Sequence, residues 1–196
     1  MSRKKSIKRT AKLFQDNADE IIEFIDTVKP GLSKEFTSWV YEHAVIRLYR
    51  EFEIMMLDAL VGAINNDTTV LSNKTGFDFP KHLTDEVCKY LVIGDGYFDF
   101  KGRDGLIRTL KSYVPIDHSL VSILTKSEYK DSLDKLSTLR NFAAHDSSKS
   151  KKACLSAIRQ RRIGSAGSWI KVQDRFQRIV NDLKAIAVEI EAQAPY

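Results

Sequence analysis

The segment RNFAAH, Arg140 to His145, puts a guanidinium, a carboxamide and an imidazole within two helical turns of one another. On a helix each residue advances about 100°, so Asn141 and His145 share nearly one face and Arg140 stands one step round. These are parts for cleaving a phosphodiester without a metal. Histidine can move a proton at the attacking 2′-OH or the leaving 5′-oxygen. Arginine can hold the phosphate and offset the charge that builds on it, and asparagine can orient either partner. A metal centre fits less well: His43, His82 and His118 fall in separate segments, with no H-x-x-x-H or carboxylate-histidine spacing among them. The catalytic candidates are therefore Arg140, Asn141 and His145, with no cofactor.

A helix must carry them. Tyr129, Leu133, Leu136, Arg140 and Ala143 recur at steps of four, three, four and three, the period of a buried face, so a cation interrupts an apolar stripe. Thr138 and Asp134 continue the polar edge beside it. The helix has a start signal as well, with Thr125 and Glu128 spaced as a capping box and Leu124 and Tyr129 as a hydrophobic staple. The spacing predicts a helix from about Lys126 to Ala144 or His145. By these residues alone, Arg140 could equally be a snorkelling side chain and His145 a plain helix-end residue.

Charge is distributed unevenly. The formal net charge of +5 is a weak pointer to an anionic partner, but between Asp146 and Asp174 there is no acidic residue at all. That stretch holds Lys149, Lys151, Lys152, Arg159, Arg161 and Arg162 directly after His145, where they could guide a phosphate backbone. A second basic cluster, Arg3 to Lys12, precedes the first acidic residue, Asp16, and residues 1–6 are expected to be a flexible basic start.

The remaining pattern is all-α. Ile7, Ala11, Phe14, Ala18, Ile21, Ile25 and Val28 predict a first helix over about 6–28. Apolar residues from Phe36 to Val61 predict a long second one over about 34–66. Short helices are expected near LTDEVCKYLV and from Asp104 to Tyr113, and Val172 to Ile190 predict a last helix after a GSAGS turn. GSAGS lacks the strand and the Lys-Ser/Thr of a phosphate loop. YLVIGDGYFDFKG, with its central GDG, suits a small hairpin or an extended loop. The expected fold is thus a helical bundle with an irregular insertion between the second and later helices, forming one domain over 1–196. Cys88 and Cys154 are far apart, no apolar run approaches the roughly 18 residues needed to cross a bilayer, and no signal segment follows the basic start, so a cytoplasmic location is expected.

RNFAAH resembles the R-x4-6-H motif of the HEPN superfamily, helical proteins that are often ribonucleases, in its form R-N-x-x-A-H. The long second helix with IRLYREFEIMMLDALV, the GYFDFKGRDGLIRTL segment and the closing helix look like the RiboL-PSP type of HEPN domain, over nearly the whole chain. The resemblance implies a homodimer in which two Arg140–His145 sets build one composite cleft. It also implies metal-independent RNA cleavage that leaves a 2′,3′-cyclic phosphate, and a role as a toxin or in defence against phage. An antitoxin or sensor would then be a separate chain, since no NTPase or nucleotidyltransferase signature is present. Some members carry Glu and Lys just before the arginine, and LSTLRN here does not. On the second helix, His43, Arg47, Arg50, Glu51 and Glu53 are candidates for supporting the cleft, Arg47 foremost, although helix-surface salt bridging, as between His43 or Arg47 and Glu51, is the better explanation for most of them. A non-catalytic module that binds RNA or protein, and a DNA-directed defence component, are the competing expectations.

Overall fold

The computed structural model describes residues 4–100 and 102–194; Arg3 of the basic start lies outside them. All regular structure among the described residues is helical: α1 (Ile7–Val28), α2 (Lys34–Asn66), α3 (Thr69–Thr75), α4 (Asp85–Ile93), α5 (Gly102–Lys111), α6 (Ser119–Thr125), α7 (Lys130–His145), α8 (Ser148–Ala157), α9 (Ala166–Ile170) and α10 (Arg175–Gln193). No helix there is long and apolar enough to cross a membrane.

The two long helices form where their periodicity places them because their ends are well marked. Ser6 accepts a hydrogen bond from the Arg9 N–H and Ser33 from the Phe36 N–H, each satisfying a donor that the first turn leaves free. From Ala59 to Asn65 every residue of α2 is buried, so this helix runs through the centre of the bundle. α1, α7, α9 and α4 pack on it, and α10 closes the far side of α1. The N-terminal segment is tied down from Lys5 onward: its N–H donates to Asp85 and its ammonium pairs with Asp58 at 2.5 Å.

At one helix crossing the backbones nearly touch. A Cβ on Gly167 of α9 would stand 1.9 Å from the Ser38 carbonyl oxygen of α2, and the Gly167 N–H donates to Glu42 Oε1 at 3.1 Å. Lys171, part of the acid-free stretch, is spent on the same contact, donating to Ser38 Oγ at 2.8 Å and to the Lys34 carbonyl.

Of the two forms expected for the insertion, a small hairpin or an extended loop, the described residues take the loop. No strand forms among its described residues; α3, which the sequence reading did not anticipate, and α4 are followed by an irregular segment over 94–100. Phe100 anchors that segment, buried against Tyr49 (ring centroids 4.8 Å apart) and Phe52 (5.6 Å) of α2. This packing replaces the cross-strand pairing that a short hairpin would need for its stability.

The motif helix also starts later than its capping box predicts. Leu120, Val121, Ile123 and Leu124 are buried and draw the preceding residues into a separate helix, α6. Arg103 then terminates α6, its guanidinium donating to the carbonyls of Leu124 (2.7 Å), Thr125 and Lys126 (3.3 Å). Thr125 donates to the Ser122 carbonyl instead of capping, a 3₁₀ turn over Ser127–Tyr129 follows, and α7 begins at Lys130. The last helix is likewise divided. Ser165 and Ser168 form a capping box that opens the short α9, and Gln173 and Asp174 take left-handed backbone (φ 58° and 52°) before α10 begins. Val172 is left outside the helix, while Phe176, Ile179, Leu183, Ile186 and Ile190 are buried as their spacing predicts.

Candidate active site

Arg140, Asn141 and His145 line one open cleft of about 640 Å³ at the C-terminal end of α7. Local chain geometry builds it. Asp146 adopts left-handed backbone (φ 35°) and its N–H returns to the Phe142 carbonyl, which ends α7 abruptly. Ser147 and Ser150 then form a capping box and start α8 one residue later, so the chain reverses around His145. Lys149, in the first turn of α8, comes to line the same cleft. The opposite wall is Ile46 of α2 with Tyr97 and Asp99 of the 94–100 segment. His145 is exposed at the mouth and Tyr97 almost wholly so, at 85%.

Arg140 is half-buried, and its place in the apolar stripe has a structural explanation within one chain. Its guanidinium lies 4.4 Å from the centroid of the Tyr49 ring, and its Nη1 donates to Asn141 Oδ1 at 2.7 Å. The flat cation occupies a core-facing position by stacking on an aromatic face contributed by α2. Tyr49 is fixed in turn, its hydroxyl donating to the Phe100 carbonyl at 2.9 Å with Asp99 Oδ1 at 3.2 Å as second acceptor. Burial first, then the Glu53 and Asp99 carboxylates, push its phenol far above the ordinary value. Tyr49 is therefore a neutral platform.

Glu53, one turn beyond Tyr49 on α2, is the unusual group. Its Oε1 is sealed from water and has no hydrogen-bond partner. Burial pushes its carboxyl up to about 7; the Arg140 guanidinium pulls the other way, Asp99 reinforces the rise and the Tyr49 hydroxyl opposes it. This has a consequence for stability. The folded chain holds the Glu53 proton more tightly than an unfolded chain, whose carboxyl titrates near 4.5, so stability falls as pH rises from about 4.5 to about 7 and is level above that. Glu53→Gln removes the loss and is expected to stabilise the protein by about 1–2 kcal/mol at pH 8, after allowance for solvent screening of a half-buried group. Thermal unfolding should show the variant melting higher at pH 8 and together with the wild type at pH 4; identical melting at both would contradict a raised Glu53.

The other sequence candidates are dispersed. Lys151 sits over the Phe142 ring at 5.8 Å, and Lys152, Arg159, Arg161 and Arg162 are exposed beyond the cleft, along and after α8. Arg47 does not reach the cleft. It pairs with Glu51 at 2.9 Å, and Glu51 accepts from Asn17 at 2.6 Å, within a separate recess of about 310 Å³ between α1 and α2 that His43 also lines. The i,i+4 salt bridge is thus the role Arg47 plays. Tyr49, Tyr97 and Asp99 join the site without standing in the motif's helical spacing. Tyr49 is four residues before Glu53 on one helical face, a signal the sequence does carry, but nothing local brings the 94–100 segment to α7.

Among the described residues no group of three or more His, Cys, Asp or Glu side chains is arranged to hold a metal ion. Cys88 and Cys154 are buried free thiols, each pushed up to about 11, chiefly by burial. Compared with known proteins, the chain matches no family model, no curated protein and no solved structure.

Proposed function

We propose that this chain is a metal-independent endoribonuclease of the HEPN type. The observation that carries the reading is the convergence of Arg140, Asn141, His145 and Lys149 on one open, solvent-reachable cleft. In this reading His145 takes the proton of a ribose 2′-OH as its oxygen attacks the adjacent phosphorus. The phosphorus–5′-oxygen bond breaks, and the 5′-oxygen leaves with a proton, giving a 2′,3′-cyclic phosphate and a 5′-OH. Arg140, held flat on Tyr49, faces the phosphate whose negative charge grows in the transition state. Asn141 fixes the guanidinium, and Lys149 draws the backbone in. One imidazole serves one proton transfer at a time, so two copies joined at this face would supply the second, with His145 of the second copy as the acid. The resemblance of RNFAAH to R-x4-6-H supports that pairing, and a role as a toxin or antiviral effector under a separate antitoxin or sensor.

The test is incubation of the purified chain with total RNA in EDTA, followed by analysis of the 3′ ends. Cyclic-phosphate ends are expected, and a single 2′-deoxy substitution at a mapped cut site should abolish cleavage there. One observation favours a second reading: most of the basic residues after Lys149 lie outside the cleft, as they would in a module that holds RNA or a partner without cutting. RNA binding with no new 3′ ends would select that reading.

A further inference from the structure

Beside the motif, α2 carries a carboxylate, Glu53, one oxygen of which is buried with no hydrogen-bond partner. Arg140 has no ion-pair partner among the described residues; its hydrogen bond goes to the neutral Asn141. Two acids nonetheless gather at the tyrosine on which it stacks: Asp99 of the 94–100 segment accepts from the Tyr49 hydroxyl at 3.2 Å, and Glu53 follows Tyr49 by one turn of α2 and feels the Arg140 charge. We propose that Glu53 is a positioning residue whose charge sets how strongly Arg140 attracts a phosphodiester: neutral, it leaves the guanidinium to the anion, and ionised, it competes for it. The inference rests on the reading of the cleft as an RNA site.

The geometry supports this in three ways. The Glu53 Oε1 is sealed from water and unpaired, so the half-buried carboxylate is screened from one side less than a surface one and acts on what lies close by. With Glu53 ionised, two carboxylates outweigh the one guanidinium on the Tyr49 platform; with Glu53 neutral, the remaining acid and the guanidinium balance. Finally, Asp99 lines the cleft from the side opposite α7, so an incoming phosphate meets Arg140 and Asp99 together and feels the difference directly. The groups that act on Glu53 are Tyr49 from its own helix, Asp99 from the 94–100 segment and Arg140 from α7. Since its carboxyl is raised to about 7, the exchange falls within the physiological range. Linkage makes the effect reciprocal: a phosphate bound at Arg140 must raise the proton affinity of Glu53 by the same factor that the proton raises the affinity for phosphate.

His145 lines the same cleft and is the group proposed to move protons, so the experiment is done without it. Affinity for a 2′-O-methyl oligoribonucleotide, which cannot undergo 2′-OH attack, is measured at fixed salt at pH 6 and pH 8.5 for His145→Ala and for His145→Ala with Glu53→Gln. The single variant is expected to lose about fivefold to tenfold in affinity between the two pH values, as one charge change beside a phosphate implies. The double variant should bind nearly equally at both, at the tighter level. In parallel, the carboxyl ¹³C resonance of Glu53 in the His145→Ala protein should titrate at higher pH when the oligonucleotide is bound. Equal pH dependence in the two proteins, an unmoved Glu53 midpoint, or no binding by either at any pH overturns the proposal. Failure of the wild type to cut RNA while these binding results hold would sink the enzyme reading and leave the role of Glu53 standing.

Discussion

If the chain is the ribonuclease proposed above, replacing His145 by alanine is expected to lower RNA cleavage by about 10³-fold or more and to leave the fold intact. A positioned proton-transfer group contributes typically about 10²–10⁴ to a rate, and in the paired arrangement proposed here one substitution removes both the base of one copy and the acid of the other. The side chain is exposed at the last turn of α7, where truncation costs little stability, on the order of 0.5 kcal/mol. Arg140→Lys is the informative companion. Lysine keeps the charge but loses the planar stack on Tyr49 and the fork that holds Asn141, so a loss of about 10² in kcat/KM is expected, with the melting temperature nearly preserved. Single-turnover cleavage of a defined oligoribonucleotide by the three proteins, beside their thermal unfolding curves, measures both quantities. Cleavage by His145→Ala at the wild-type rate would show that the imidazole is not part of the chemistry.

Gly167→Ala is expected to destabilise the protein by about 2–4 kcal/mol, the largest effect of any single methyl group here. The added Cβ would stand 1.9 Å from the Ser38 carbonyl oxygen and 2.7 Å from its carbon, and neither belongs to a side chain that could rotate away. α9 must lift off α2, which breaks the Gly167 N–H bond to Glu42 and stretches the Lys171 contacts at the start of α2. Gly164→Ala is the control, because its Cβ would meet nothing nearer than the Ser168 hydroxyl at 3.3 Å, which a shift of a few tenths of an ångström relieves, and a change of less than about 1 kcal/mol is expected there. Chemical denaturation of both variants gives the comparison. A Gly167→Ala protein as stable as the wild type would show that the two backbones do not approach this closely.

Much of the chain announces itself in its sequence. α1 and α2 lie within a residue of where their apolar spacing puts them, because a long amphipathic helix with a serine cap at its start needs no distant residue to define it. The single-face placement of Asn141 and His145 follows in the same way from helical pitch alone, and the stripe of α10 from its four-three repeat. The short elements were less legible. α3 and α6 are seven residues each, too brief for periodicity to declare them; α6 is held by four buried apolar residues, whereas α3 buries only Leu71.

Where a local signal competed with a tertiary one, the tertiary one won. The Thr125–Glu128 capping box is well formed as a pattern, but Arg103, distant in sequence, takes the carbonyls at that point and turns the segment into the end of α6. Arg140 shows the same division within the site. Its position on the apolar stripe is plain from the residues around it, and so is the question that position raises. The answer, a tyrosine ring beneath the guanidinium with Glu53 and Asp99 beside that tyrosine, comes from α2 and from the 94–100 segment. Sequence determined which residues share a helical face, since pitch is a property of the backbone and acts over a few residues. Only the tertiary structure decided which charges meet at Arg140, because their proximity depends on how separate helices pack, and the packing is set by the whole core at once.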